Sequence, residues 1–353
     1  MNESKVIFQF LENEIVGVNL KFIDGKFDVL GYVHHKISGG IYTPNLGDIA
    51  LKLIISDLKN ISPNLHIENN KIEVILPDNY AITQLLKMPN LSEDELISSI
   101  KYQANEYLPW PIETTNMDIQ VLSQNPNEAE IDLLLVATPA STVDNIVKII
   151  SHFGGELAGV QSQTSAFISL ILDYYSKLPN ANGTEISLGN SYFLSCAQKS
   201  TTIIHFDLSI SKVIAIKTYP IGRVNFEQEI ESKFGRLTDL KKTEILTKIG
   251  LMGPQGLGSI MQNSYTTLLA SVEEFLKTNS QQDSTDKSND KNIFMFGTGT
   301  QIANLTQKLS ADLSSKVIQF DLASQMNLNN FLIKEEANAY LLPLLGASIM
   351  PNL

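Results

Sequence analysis

The sequence has a single cysteine, Cys196, and a single tryptophan, Trp110. One cysteine makes no intramolecular disulfide, which fits a reducing compartment, and its plain reading is a small apolar residue in a buried strand. Long apolar runs are missing too. No stretch approaches the roughly 18–20 residues that cross a bilayer, and the longest candidate, near the C-terminus, is broken by Pro343. Glu12 and Glu14 stand where a secretory leader would need its apolar core. The expectation is a cytoplasmic chain with no direct membrane insertion, peripheral to a membrane only through another protein.

Positive charge is also scarce. Lys and Arg number 26 against 38 Asp and Glu, a net charge of −12, and no run of cations supplies the surface that phosphate neutralisation requires. Nucleic acid is excluded as a partner, and docking on anionic lipid is disfavoured for the same reason. The five histidines, His34, His35, His66, His152 and His205, show neither helical metal-ligand spacing nor a neighbouring cysteine, so no metal site is expected. A Gly-x-Ser-x-Gly elbow and a Gly-x4-Gly-Lys phosphate loop are both absent.

What is present is apolar residue in quantity, 43% of 353 residues, enough for at least two cores. Val6–Phe10, Ile15–Phe22 and Lys26–Val33 read as three strands, the second turn being Asp24-Gly25. The plan returns at Tyr192–Ala197, Thr201–Phe206 and Lys212–Thr218, followed by Pro220, Gly222 and a helix. Two such meanders, each leading into helices, predict two related α/β lobes.

Between them lies a segment with its own rhythm. A strand ends at Met88-Pro89, and Ser92 with Glu95 three residues on forms a capping box. The helix it opens carries Leu96, Ile100, Ala104 and Tyr107 on one face and stops before Pro109. Strands Asn116–Leu122 and Ile131–Ala137 follow. Next come a helix from Ser141 bearing Val143, Ile146, Val147 and Ile150 and ending at Gly154-Gly155, and a strand Leu157–Val160. These elements predict a self-contained α+β insertion over 81–157, with 1–80 and 158–185 forming the first lobe. The second lobe is expected over 186–345, with helices around Phe226, Ile230 and Phe234, closed by Gly235, and over Ser259–Lys277. The polar stretch Thr278–Lys291 reads as a surface loop. A C-terminal helix at 335–353 is expected to pack back on the first lobe.

One glycine motif offers chemistry. Gly297-Thr298-Gly299 follows the strand Ile293–Phe296 and precedes a helix expected near Ile302, so its backbone donors can face a phosphate or nucleoside. It lacks the third glycine of a dinucleotide fingerprint, and a tight strand-to-helix turn explains it equally well.

The runs Met88-Pro89, Ser92-Glu93-Asp94-Glu95-Leu96, Tyr107-Leu108-Pro109-Trp110-Pro111 and Met117-Asp118-Ile119-Gln120-Val121-Leu122 together resemble the inserted subdomain of the PilM family of type IV pilus assembly proteins. There an acidic helix ends in a Tyr-Ile-Pro-Phe-like turn and leads to an Asp-x-Gln-Val-Leu-like strand. The likeness continues through Leu135-Val136-Ala137, Tyr219-Pro220-Ile221-Gly222, Gly297-Thr298-Gly299 and Leu345-Gly346-Ala347.

The resemblance implies an actin-like (ribonuclease H-like) two-lobe α/β fold with a small inserted α+β subdomain, related to FtsA. It also implies ATP held between the lobes, on Asp-x-Gly turns that bring a carboxylate and close backbone donors to the phosphates. The matching stretches here are Gln9-Phe10-Leu11-Glu12-Asn13 and Ala197-Gln198-Lys199. Both carboxylates and both glycines are replaced, so no catalytic residue and no cofactor are expected. Lys199, Gly297, Thr298 and Gly299 are the residual candidates for weak ATP binding.

The function implied is a cytoplasmic scaffold of the pilus assembly platform. It would receive the short cytoplasmic tail of a PilN-like inner-membrane protein in a groove between the insertion and the first lobe, and link it to the motor or other platform proteins. Tyr107, Trp110 and Pro111 are the candidate partner-binding residues, because exposed aromatic and proline side chains bury large area with little entropy lost; packing against their own subdomain is the competing reading. Two alternatives stay open: an ATPase of the same superfamily with Asp207 as stand-in carboxylate, and an actin-like subunit of type II secretion. Homo-oligomerisation also stays open.

Overall fold

The architecture comes from a computed structural model that describes residues 4–23, 26–37, 47–65, 67, 71–123, 129–152, 155–174, 190–252, 258–280, 292–320, 328–329 and 335–349. The Asp24-Gly25 turn, Gly154, and residues 281–291 of the expected surface loop lie outside these. The chain divides into two units, Met1–Pro179 with Ala323–Ile333 and Leu341–Leu353, and Asn180–Leu322 with Lys334–Tyr340.

In the first unit β1 (Lys5–Phe10), β2 (Glu14–Ile23) and β3 (Lys26–Lys36) form the expected antiparallel meander. After α1 (Asp48–Ile61), β4 (Lys71–Leu76) returns parallel to β1. A second three-stranded sheet follows, built from β5 (Ile82–Pro89), β6 (Thr115–Ser123) and β7 (Glu130–Pro139) in the order β5-β7-β6. Ser92 and Glu95 close the capping box at α2 (Glu93–Tyr102), the Ser92 amide donating to Glu95 Oε2 at 3.0 Å. The helix expected to run on to Pro109 breaks instead at Gln103, and a short α3 (Ala104–Tyr107) completes it. Leu96, Ile100, Ala104 and Leu108 nonetheless pack on Leu133 and Leu135 of the sheet, as one helical face requires.

The boundary at 157 needs correction. Helix α4 (Ala140–Ser151) places Ile146, Ile149 and Ile150 in one core with Phe8, Phe10, Leu58 and Val74. Strand β8 (Glu156–Ser162) pairs parallel with β4. Helix α4 therefore packs on the larger sheet and β8 is its outer strand, while the separate sheet ends at Pro139. Amphipathic spacing tells which face of an element is apolar but not which sheet it covers. The spacing also misplaced α4's stripe slightly: Ile146 and Ile150 are buried as expected, but Val147, expected inside, is 47% exposed, and Thr142, Asn145 and Ile149 complete the buried face. Helix α5 (Gln163–Tyr174) follows directly.

In the second unit β9 (Asn190–Cys196), β10 (Thr201–Asp207) and β11 (Lys212–Tyr219) repeat the meander, α6 (Arg223–Phe234) and α7 (Asp239–Glu244) follow, and α8 (Gln262–Ser280) precedes β12 (Asn292–Phe296). Helix α8 thus absorbs the first three residues of the expected loop. Helix α9 (Leu305–Leu313), β13 (Lys316–Gln319), the short β14 (Leu328–Asn329) and α10 (Glu335–Ile349) complete the chain. The two large sheets have the orders β14-β3-β2-β1-β4-β8 and β11-β10-β9-β12-β13. Leaving out β14, each runs third, second, first, fourth, fifth strand. This duplicated order, with an extra sheet inserted in the first copy, is the actin-like fold.

Candidate functional site

The glycine turn of the second unit is shaped by its neighbour Cys196. Gly297 has φ 89°, and a Cβ there would lie 2.5 Å from the Cys196 carbonyl oxygen, while one on Gly299 would lie 2.2 Å from Cys196 Sγ. Both glycines are thus required by the end of β9, with no ligand needed to explain them. The expected helix at Ile302 is replaced by a 3₁₀ turn, Thr298–Gln301, and α9 begins three residues later because Asn304 adopts φ 64°. Burial of Cys196 pushes its thiol up to about 11.

Lys199 sits half-buried in the β9–β10 turn. The carbonyls of Ala197 and Gln198 in that turn accept from the amides of Arg223 (3.0 Å) and Val224 (2.9 Å) at the start of α6. Helix donors that can hold an anion are therefore engaged by the turn itself. Asp207 accepts from the amide of Ser209 at 3.0 Å, which makes it a turn residue.

In the first unit, Gln9 stands at the end of β1 where the resemblance places a carboxylate. It is buried and donates from Nε2 to Gln163 Oε1 at 2.8 Å. Leu11 is buried, with its amide donated to Glu14 O at 2.9 Å. The start of α5 is engaged by Asp78, whose carboxylate accepts from the Thr164 amide (3.1 Å) and hydroxyl (2.9 Å). These residues do not fit a metal-bound triphosphate: a neutral amide pair occupies the carboxylate position, and an apolar side chain fills the glycine position. Among the described residues, no three His, Cys, Asp or Glu side chains converge.

A different feature of the first unit has the form of a binding site. A groove of about 310 Å³ is walled by Leu157–Ser162 of β8 and Asn116–Asp118 of β6, with Val136 and Val143 beside them. Both long walls are outer strands of their sheets, β8 pairing with β4 and β6 with β7. The β8 run Leu157-Ala158-Gly159-Val160 is uncharged and half-buried along its length. Its register shifts opposite Ile72 and Glu73, so that Ala158 is an extra residue. A Cβ on Gly159 would have no atom within 4 Å. Asp118, exposed on β6, adds the negative charge of this wall.

Tyr107, Trp110 and Pro111 form a turn apart from the groove walls. Tyr107 is half-buried against the core of the three-stranded sheet, with its hydroxyl donated to Gln103 at 3.1 Å, Trp110 is half-buried, and Pro111 is exposed. The wall residues of β8 went unrecognised in the sequence. Their signal was the run of small uncharged residues, which reads equally well as an ordinary buried strand.

A family profile described as type IV pilus assembly protein PilM matches residues 18–344. No curated protein matches the chain. Among solved structures the chain is similar to the "PilM-PilN type IV pilus biogenesis complex", with TM-score 0.79 and 12% identity over 98% of this chain and 99% of that one. It is also similar to ethanolamine utilization protein EutJ from Carboxydothermus hydrogenoformans, with TM-score 0.52 and 10% identity over 99% and 90%. At these identities the likeness is one of fold.

Proposed function

The chain belongs to the type IV pilus assembly protein PilM family, and from this we propose that it is a cytoplasmic scaffold that receives the tail of a PilN-like inner-membrane protein as an extended segment lying along β8. The observation that carries this reading is the outer edge of β8. Proteins blunt exposed strand edges with charge, proline or bulges because unpaired backbone groups template further pairing; the Leu157–Val160 edge has no charge or proline, carries only the bulge at Ala158, and borders a groove. Strand addition uses such an edge, main-chain hydrogen bonds giving affinity and side-chain pockets giving specificity. Cytoplasmic segments beside membrane spans are rich in Lys and Arg, which suits a chain of net charge −12. The solved PilM–PilN complex supports a partner of this kind, and no helix among the described residues is long and apolar enough to cross a membrane.

Gly159→Val tests the reading, since its side chain projects into open space. Titrating a synthetic tail peptide of the PilN-like partner should show at least tenfold weaker binding to the variant, with an unchanged melting midpoint. Equal affinity places the tail elsewhere. Trp110→Ala serves as the companion variant, and on this reading it binds within about twofold of wild type.

The same reading makes the chain a non-catalytic member of its fold. Support comes from the Gln9–Gln163 amide pair and from the engaged donors of α6, which leave phosphate and magnesium without the ligands that hydrolysis needs. Phosphate release indistinguishable from a blank is the expected result, and steady turnover would restore the enzyme reading.

A further inference from the structure

Strand β6 presents alternate residues to its two faces. Met117 and Ile119 pack on the core of the three-stranded sheet with Leu133 and Leu135, so Asn116 and Asp118 project from the opposite face. In the pairing with β7, Asp118 stands opposite Val136 and Asn116 opposite Thr138, and all four residues line the groove. Among the described residues that line it, Asp118 alone carries a charge. The residue is exposed, its Oδ1 accepts from the Ile119 amide at 2.8 Å, and no Lys or Arg among the described residues pairs with it.

A lone charge in such a wall does what the rest of the wall cannot. Main-chain pairing along the β8 edge is the same in every register, and the apolar surface of Leu157, Val160 and Val143 accepts any side chain of suitable size. A segment added to β8 would lie about 4.8 Å from it and could slide by two residues with little change in its hydrogen bonds. A cation placed opposite Asp118 removes that freedom, since every other register leaves the carboxylate facing an apolar group or a second acid. The Ile119 amide holds one carboxylate oxygen at the wall and leaves Oδ2 to receive an N–H from the occupant.

Resting on the reading of the groove given above, we propose that Asp118 is its specificity-determining residue: it forms an ion pair with one Lys or Arg side chain of the seated segment and thereby fixes the segment's register along β8. The occupant is then an extended, mostly apolar peptide with one obligatory cation at the position facing Asp118. An acidic residue at that position is rejected, because two carboxylates would meet across the groove.

The test uses the full chain and the synthetic tail peptide, with a peptide series in which each Lys and Arg in turn is replaced by Gln or Met. Asp118→Asn removes the charge and keeps an oxygen for the Ile119 amide. The melting midpoint should therefore stay level while the parent peptide binds about 3- to 10-fold more weakly at low salt, a difference that shrinks as salt is added. One peptide replacement should weaken binding to wild type and leave binding to Asp118→Asn unchanged, as a coupled pair requires. Asp118→Lys should reject the parent peptide and recover affinity for the peptide with Glu at the coupled position. A merely structural aspartate would show in the midpoint and not in affinity. Equal losses at every basic position in both proteins would mean that net charge alone draws the tail in, and would overturn the inference. Tail binding that is blocked by Gly159→Val yet equal in wild type and Asp118→Asn overturns it too and leaves the groove reading standing. Absence of tail binding by wild type, or indifference to Gly159→Val, overturns both.

Discussion

Gln9 and Gln163, 154 residues apart in the chain, join through a buried amide-to-amide hydrogen bond of 2.8 Å at the end of the first strand. At this position the family resemblance places a carboxylate. The pair ties β1 to the start of α5 and carries no charge to offer a magnesium ion.

Mg-ATP at millimolar concentration should therefore leave the melting midpoint unmoved, whereas a site occupied well above its Kd would raise it in proportion to the logarithm of ligand concentration. Gln9→Ala should cost about 1–3 kcal/mol of stability, since it removes a donor from a buried acceptor, and should leave the response to Mg-ATP as it was. A magnesium-dependent upward shift in wild type would overturn this account of the first strand.

Lys5 and Glu73 predict a pH-dependent variant. Burial raises the Glu73 pKa from the usual 4.5, and the Lys5 hydrogen bond and charge oppose that rise. A carboxylate raised on folding has its stabilising contribution below the unfolded pKa and loses it as pH climbs through the folded value. Lys5→Met removes the opposing cation and deepens this loss. We expect a destabilisation of about 3–5 kcal/mol near pH 8 that shrinks steadily as pH falls and Glu73 takes up its proton. Urea denaturation across that range would show it, and a pH-independent difference would contradict it.

Cys196 should report unfolding. With its thiol pushed up to about 11 and buried, little thiolate exists at pH 8, so a thiol reagent should label native protein only at the rate of opening. Gly299→Ala, whose new methyl would lie 2.2 Å from Cys196 Sγ, should accelerate labelling and lower stability by about 1–3 kcal/mol. Fast labelling of the folded wild type would show that the turn does not cover the sulfur.

Gly346 on α10 lies directly against α5. A Cβ there would sit 1.9 Å from the Ala166 carbonyl oxygen, and backbone cannot yield as a side chain does. Gly346→Ala should therefore be among the costlier single methyl additions, above about 2 kcal/mol, even though alanine favours a helix more than glycine does. Chemical denaturation would settle the sign; a stabilised variant would mean that propensity outweighs the contact.

The local elements were legible because their causes are local. The two meanders are written in short apolar runs, such as Val6, Ile7 and Phe8 in β1, and the start of α2 is written in Ser92 and Glu95 three residues apart. The resemblance around Tyr107–Pro111 led to the family, since such a turn is a short, fixed string. Tertiary structure alone decided which sheet α4 and β8 would join, because periodicity specifies an apolar face and not its partner. It also decided that β8 would end as an exposed edge beside β6, that Cys196 would claim the space of Gly297 and Gly299, and that Lys5, Glu73 and Gln161 would meet. Those last contacts span 68 and 88 residues of chain, and only the packing of β1, β4 and β8 side by side brings an ammonium, a carboxylate and an amide into one line.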